Sequence, residues 1–217
     1  KEEVRMIKQF FMLILFFVSS IALPQEIYNF DILINGKSVG YYRAEINTID
    51  DRIEVNTSIL IKIRFLFVPL FNLTNTSSEQ WMGSCLETIH SLTTYGPRES
   101  TIKGKRIGDK FMVTTNRRGE TSDFNYDGCT RSLPFWDSRL LQANELLNPF
   151  NGRSENASYE ITKVTVNHST IESLLNLNGT KYLLRYDREG RWIGLSGEVR
   201  SRLIEFIPTP IPSQDDN

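Results

Sequence analysis

From Arg52 to Ile63 the chain repeats with a period of two. Ile53, Val55, Thr57, Ile59, Ile61 and Ile63 hold the odd positions, and Arg52, Glu54, Asn56, Ser58 and Lys62 hold even ones. Successive side chains of a strand point to opposite faces, so this stretch reads as one long strand with a dry face and a wet face. Strands of this kind must bury one face and hide their edges, which restricts the chain to a curled or stacked antiparallel sheet. The same alternation opens with Tyr28, Phe30, Ile32 and Ile34 against Asn29 and Asp31. Asn35-Gly36 follows, a strong hairpin signal because both central positions of a type I′ turn need positive φ, and Val39–Ile46 returns as the partner strand.

Further strands are predicted over Ser77–Met82, Cys85–Tyr95, Ser100–Arg106, Lys110–Asn116, Tyr159–Val166, Ile171–Leu177, Lys181–Asp187, Trp192–Leu195 and Arg202–Ile207. Turn signals stand between them at Asp50-Asp51, Gly108-Asp109, Arg117-Arg118-Gly119, Asn178-Gly179 and Asp187–Gly190. Pro69 breaks the apolar run Phe65–Leu73; having no N–H to give a ladder, it marks a strand end, a bulge or an edge crossing. A helix is predicted over Asp137–Leu147, with Leu140, Leu141, Ala143 and Leu147 on its apolar face and Pro149 as its stop. No internal repeat is present, which sets aside solenoids and propellers. The expected fold is mainly β: a single antiparallel curled sheet forming an incomplete or closed β-barrel, with one short helix plugging or capping an end.

Met6–Gln25 has the grammar of an export signal. Lys8 is its positive n-region, Phe10–Val18 its apolar h-region, and Ser20-Ile21-Ala22 a small-x-small cleavage site. The apolar run falls well short of the ~20 residues a helix needs to span a bilayer. Residues 1–22 are therefore expected to be a signal peptide, with 1–5 an extension ahead of a start at Met6. Residues 23–207 form one β-rich domain and 208–217 a disordered tail. An uncleaved signal anchor is the alternative. The expected destination is the periplasm, and no cysteine near the cleavage site provides for a lipoprotein anchor. With 25 basic and 26 acidic residues the net charge is −1, so no bulk field draws the chain to nucleic acid. No transmembrane span is expected after cleavage, and the domain is expected to be a monomer.

Two cysteines, Cys85 and Cys129, read first as a disulfide in an oxidising compartment, with a reduced pair or a catalytic thiol as alternatives. The only histidines are His90 and His168, and no Cys/His cluster has metal-ligand spacing. Gly-rich phosphate loops and the Gly-x-Ser-x-Gly elbow are missing too, so neither metal nor cofactor is predicted. Glu79 and Trp81 share one face of their strand, where an indole beside a carboxyl raises its pKa. Glycosidase-like work needs a second acid, for which Glu87, Asp123, Asp127 and Asp137 are available; the plainer reading is a satisfied core carboxylate or a surface ion pair. Lys103, Lys105, Arg106, Lys110, Arg117 and Arg118 concentrate positive charge, either as a solvated hairpin face or as a site for an anionic headgroup or envelope polymer.

Four blocks together resemble a bacterial exported family known only as a domain of unknown function. They are Phe30–Glu45, Ile63–Thr94 with its Phe65-Leu66-Phe67-Val68-Pro69 and Glu79-Gln80-Trp81, Cys129–Gly152 with Pro134-Phe135-Trp136-Asp137, and Tyr186–Phe206 with Gly190-Arg191-Trp192. The resemblance implies an exported β-rich domain and carries over no catalytic residue. It also favours a Cys85–Cys129 bridge. Where that family usually shows Tyr-Trp-Asn this chain has Phe135-Trp136-Asp137, so no role needing the tyrosine hydroxyl transfers. The expected function is non-enzymatic binding of a lipid or other apolar or amphipathic envelope molecule in the concave face of the sheet. Phe65, Phe67, Phe71, Trp81, Phe135 and Trp136 are its expected lining, with Glu79 beside them. The rivals are an envelope hydrolase using Glu79 with a second carboxylate, and an assembly protein recruiting partners through a sheet edge.

Overall fold

The computed structural model of the chain describes residues 25–65, 68–165 and 170–209. The candidate signal peptide and residues 210–217 of the expected tail lie outside them. Fourteen strands follow one another: β1 (Gln25–Ile34), β2 (Lys37–Ile49), β3 (Arg52–Phe65), β4 (Val68–Met82), β5 (Cys85–Tyr95), β6 (Arg98–Ile107), β7 (Lys110–Arg117), β8 (Glu120–Asp127), β9 (Glu145–Leu147), β10 (Ser154–Thr165), β11 (Thr170–Leu177), β12 (Thr180–Tyr186), β13 (Trp192–Val199) and β14 (Arg202–Pro208). They form one antiparallel sheet in the order β8-β7-β6-β5-β4-β3-β2-β1-β14-β13-β12-β11-β10-β9.

Every neighbouring pair but one joins strands consecutive in sequence. The exception is β1 with β14, whose ladder runs from Phe30↔Pro208 to Ile34↔Ile204. Backbone bonds extend it at both ends, Asn35 N to Leu203 O at 2.8 Å and Thr209 N to Asn29 O at 2.9 Å. No ladder joins the edge strands β8 and β9, so the curl is not closed. Across that seam Tyr126 of β8 donates its hydroxyl to Gly152 O at 2.9 Å and accepts Ser154 N at 3.1 Å.

The Asn-Gly turns take the conformation their sequence dictates: φ is +49° and +75° at Asn35-Gly36, and +47° and +87° at Asn178-Gly179. Gly40 has a different reason. It sits where the β1–β2 register shifts, and a Cβ there would lie 1.7 Å from the carbonyl oxygen of Leu60 on β3. Both strands are tied into the sheet on either side, so neither can move away. Gly40→Ala is expected to cost about 3 kcal/mol by overpacking, read as a lowered urea midpoint. An unchanged midpoint would contradict the close approach of β2 and β3.

Residues 137–147 are not the expected helix. They run through short turns, with Asp137 N bonded to Pro134 O and Leu140 N to Asp137 O, and end in β9. The backbone groups of β9 are taken by Ser154–Asn156 of β10, and Leu147 N goes to Arg131 O at 2.7 Å, leaving none for a helical ladder. Both adjacent pairs, Leu140-Leu141 and Leu146-Leu147, are buried, so this segment is walled from several sides rather than along one stripe. The connector from β8 to β9 thus plugs the curl, as the helix was expected to do. A disulfide between Cys85 and Cys129, with Cα atoms 5.0 Å apart, fixes its start to β5. Further along, Tyr186 on β12 donates its hydroxyl to Phe135 O at 2.9 Å. Trp192 centres the core on the other wall, with ring centroids of Phe30 at 4.2 Å, Tyr42 at 5.3 Å and Phe135 at 5.4 Å.

Candidate functional site

Directly opposed residues of an antiparallel ladder share a face. On β4 the buried inward positions are Asn75, Ser77, Glu79 and Trp81, alternating with exposed Thr76, Ser78 and Gln80. Reading across the sheet from Trp81 and Glu79 gives apolar rows: Val55, Glu79, Ile89, Gly104, Val113 and Phe124 oppose one another in turn. The next two rows mix polar and apolar positions. Thr57, Ser77, Ser91, Ile102, Thr115 and Ser122 form the first, and Ile59, Asn75, Thr93, Ser100, Arg117 and Glu120 the row beyond. One end of the concave face therefore carries hydroxyls, an amide and charge beside two isoleucines.

Part of this wall is a closed network. The Asn75 amide nitrogen donates to Ser91 Oγ and Thr93 Oγ1, each at 2.9 Å. Ser77 Oγ is buried and has no hydrogen-bond partner among the described residues. Thr93, Ser100, Thr115 and Ser122 then face an open cavity of about 690 Å³ at the sheet's end. Its cations are Arg98, Arg117, Arg118 and Arg153, its carboxylates Glu99 and Glu120, and its aromatic rings Tyr95, Phe124 and Phe150. None of the four guanidinium groups is ion-paired among the described residues. Arg153 lies over the Phe124 ring, 5.6 Å from its centroid.

The far wall of the cavity is the Asn148–Arg153 turn between β9 and β10. Asn148 Oδ1 accepts Phe150 N at 2.8 Å, and Gly152 N donates to Asn148 O at 2.9 Å. Gly152, at φ +71°, lets the turn press on β7, where a Cβ would lie 2.5 Å from Thr115 Cγ2. This contact presents Phe150 and Arg153 to the hydroxyl wall.

Glu79 sits deeper and is buried. Its Oε2 accepts the Ser132 hydroxyl at 2.8 Å and the Trp81 indole N–H at 3.0 Å. Burial pushes its pKa up to about 7, against the lowering effect of those two donors. The four candidate second acids are engaged elsewhere: Glu87 with Arg106 and Asp137 with Arg139, at 2.8 and 2.7 Å, Asp123 with the Thr114 hydroxyl at 2.7 Å, and Asp127 with Lys110 at 4.0 Å. Among the described residues no group of three His, Cys, Asp or Glu is placed to hold a metal ion.

Of the residues expected to line one pocket, those whose side chains are described lie in different places. Trp81 and Trp136 meet edge to face in the core at 6.0 Å, and Phe135 packs on Trp192. Phe71 packs on Tyr95 at 4.9 Å, towards the cavity. Phe65 ends β3 with its side chain outside the description, and Phe67 lies outside the described residues. Sequence reasoning missed Arg98, Arg153 and Phe150, along with the inward direction of Thr93 and Thr115. The signal that pointed this way was the charge around Arg117 and Arg118, which here borders a cavity instead of only a solvated hairpin.

A single antiparallel sheet, curled round its own connector and carrying a charged cavity at one end, defines a β-barrel-like architecture. The chain belongs to the family described as a domain of unknown function, DUF6134, which it matches over residues 30–209. Among solved structures it is similar to the crystal structure of a β-barrel-like protein of domain of unknown function DUF1849 from Brucella abortus, with a TM-score of 0.62 over 86% of this chain and 96% of that one. At 10% identity that likeness is one of fold. No match was found among curated proteins.

Proposed function

We propose that this chain is a periplasmic binding domain, exported through residues 1–22, that holds an amphipathic envelope molecule without transforming it. The observation that carries this reading is the cavity of about 690 Å³ with its unpaired guanidinium groups, a size within the roughly 300–1,000 Å³ of ordinary ligand sites. Cations with no carboxylate partner beside aromatic rings suit a ligand with an anionic end and an apolar flank. The buried aromatic residues of the middle sheet pack on one another, which supports placing the ligand at the mouth. Strand addition is the weaker alternative, because the free edge strand β8 carries Glu120, Asp123 and Asp127 as charged guards.

Native mass spectrometry of protein purified from the periplasm tests this. A co-purifying amphipathic anion at one per chain is expected. Arg117→Glu with Arg153→Glu should weaken its retention at least tenfold while leaving the circular dichroism spectrum unchanged. A bare polypeptide that also fails to take up anionic amphiphiles from envelope extract would refute the proposal.

A further inference from the structure

We infer that the polar end of this ligand is an acidic sugar, a pyranose or furanose ring bearing a carboxylate or phosphate, from a free glycan or from a glycolipid headgroup. This rests on the cavity being the ligand site and says what the cavity selects.

A bare carboxylate or phosphodiester presents oxygen acceptors only, and donors alone satisfy it. The cavity offers more than donors. Thr93, Ser100 and Ser122 present hydroxyls that both donate and accept, Thr115, whose hydroxyl donates to Ser122 O at 3.3 Å, adds an accepting oxygen, and Glu99 and Glu120 only accept. Two carboxylates in an anion site repel a bare polyanion, but they pair well with alcohol groups, which have protons to give. Four arginines against two glutamates leave a net two positive charges, matching one or two anionic groups on an otherwise hydroxylated molecule. Hydroxyls on the wall are backed by the Asn75 amide, which donates to Thr93 Oγ1 at 2.9 Å and so orients it. Phe150, held by Asn148 and half-buried, adds a ring face for the C–H side of a sugar, and Arg153 over Phe124 adds a flat cation beside it. Hydroxyl, carboxylate, guanidinium and aromatic groups around one cavity match the four surfaces of an acidic sugar. A phosphate ester with no hydroxyl of its own meets only donors here, and a short flexible polyol such as glycerol offers no ring face to Phe150.

Isothermal titration of the full mature chain separates the possibilities. The probes are digalacturonate, neutral maltose, inorganic phosphate, and vesicles of phosphatidylcholine containing either phosphatidylglycerol or glucuronosyl diacylglycerol. Digalacturonate or the glucuronosyl vesicles should bind at least tenfold tighter than maltose, phosphate and phosphatidylglycerol vesicles. Preference between the free acid and the glycolipid identifies the source. Phe150→Ala and the near-isosteric Thr115→Val should each lower that affinity severalfold, with thermal unfolding confirming that both variants are folded. Phosphatidylglycerol vesicles binding as tightly as glucuronosyl ones would overturn the sugar assignment and leave the amphipathic-ligand reading standing. If no probe binds, both fall.

Discussion

Replacing Glu79 with glutamine is expected to stabilise the protein by about 3 kcal/mol at pH 8 and to leave its stability unchanged near pH 4. The folded-state pKa of Glu79 stands near 7, raised from 4.5. Below the unfolded value both states hold the proton and the group is neutral in its effect. As pH rises from 4.5 towards 7 the unfolded chain releases its proton while the folded chain keeps it, so stability falls across that window. Above the folded value the full difference has been lost. Glutamine keeps an oxygen that accepts from both Ser132 and Trp81 and has no charge to desolvate. Urea midpoints of both proteins between pH 4 and pH 8 measure the effect. Parallel curves would mean that Glu79 is solvated in the folded state.

Removing the Cys85–Cys129 bridge by serine at both positions is expected to cost about 4 kcal/mol, the chain-entropy value for a loop of this size. The bridged residues are 44 apart in sequence. The loss falls on a particular place. Cys129 begins the connector that plugs the curl, and just after it Thr130 O accepts Leu86 N at 2.9 Å and Ser132 reaches Glu79. Without the bridge the plug is held only by such bonds and by packing of Trp136 against Trp81. Equilibrium unfolding with and without reductant measures the cost, and near-ultraviolet dichroism should lose intensity from the tryptophan pair before the global transition. A reduced protein as stable as the oxidised one would remove the bridge from this account.

Strands were legible because their signal is local. The alternation at Ile53–Ile63 and the Asn35-Gly36 and Asn178-Gly179 turns name their own geometry, and β3, β1, β2, β11 and β12 follow from them. Elements without that signal were missed or misread. β8, with sequence ETSDFNYD, has only Phe124 and Tyr126 to mark its inner face. Arg200-Ser201 turns with φ of +50° and +59° and no glycine or asparagine to announce it. The segment at 137–147 carries leucines at helical spacing, but its bonding partners, Arg131 and β10, lie elsewhere in the sequence. The cavity was least legible of all. Its inward residues are serine, threonine and arginine, which a period-two reading assigns to the wet face whichever way they point. Cross-strand register alone reveals that they line the concave side.

The joint between β1 and β14 has a consequence for how the molecule comes into being. All other pairings link neighbours in the chain, so two blankets, β1 to β8 and β9 to β14, can grow hairpin by hairpin as residues appear, each nearly free of long-range search. The stitch between them must wait for residues 202–208, the last of the described strands in chain order. Until then β1 waits with one side unpaired, and the aromatic cluster round Trp192 lacks Phe206. The time for which this edge lies open is therefore set by the arrival of β14.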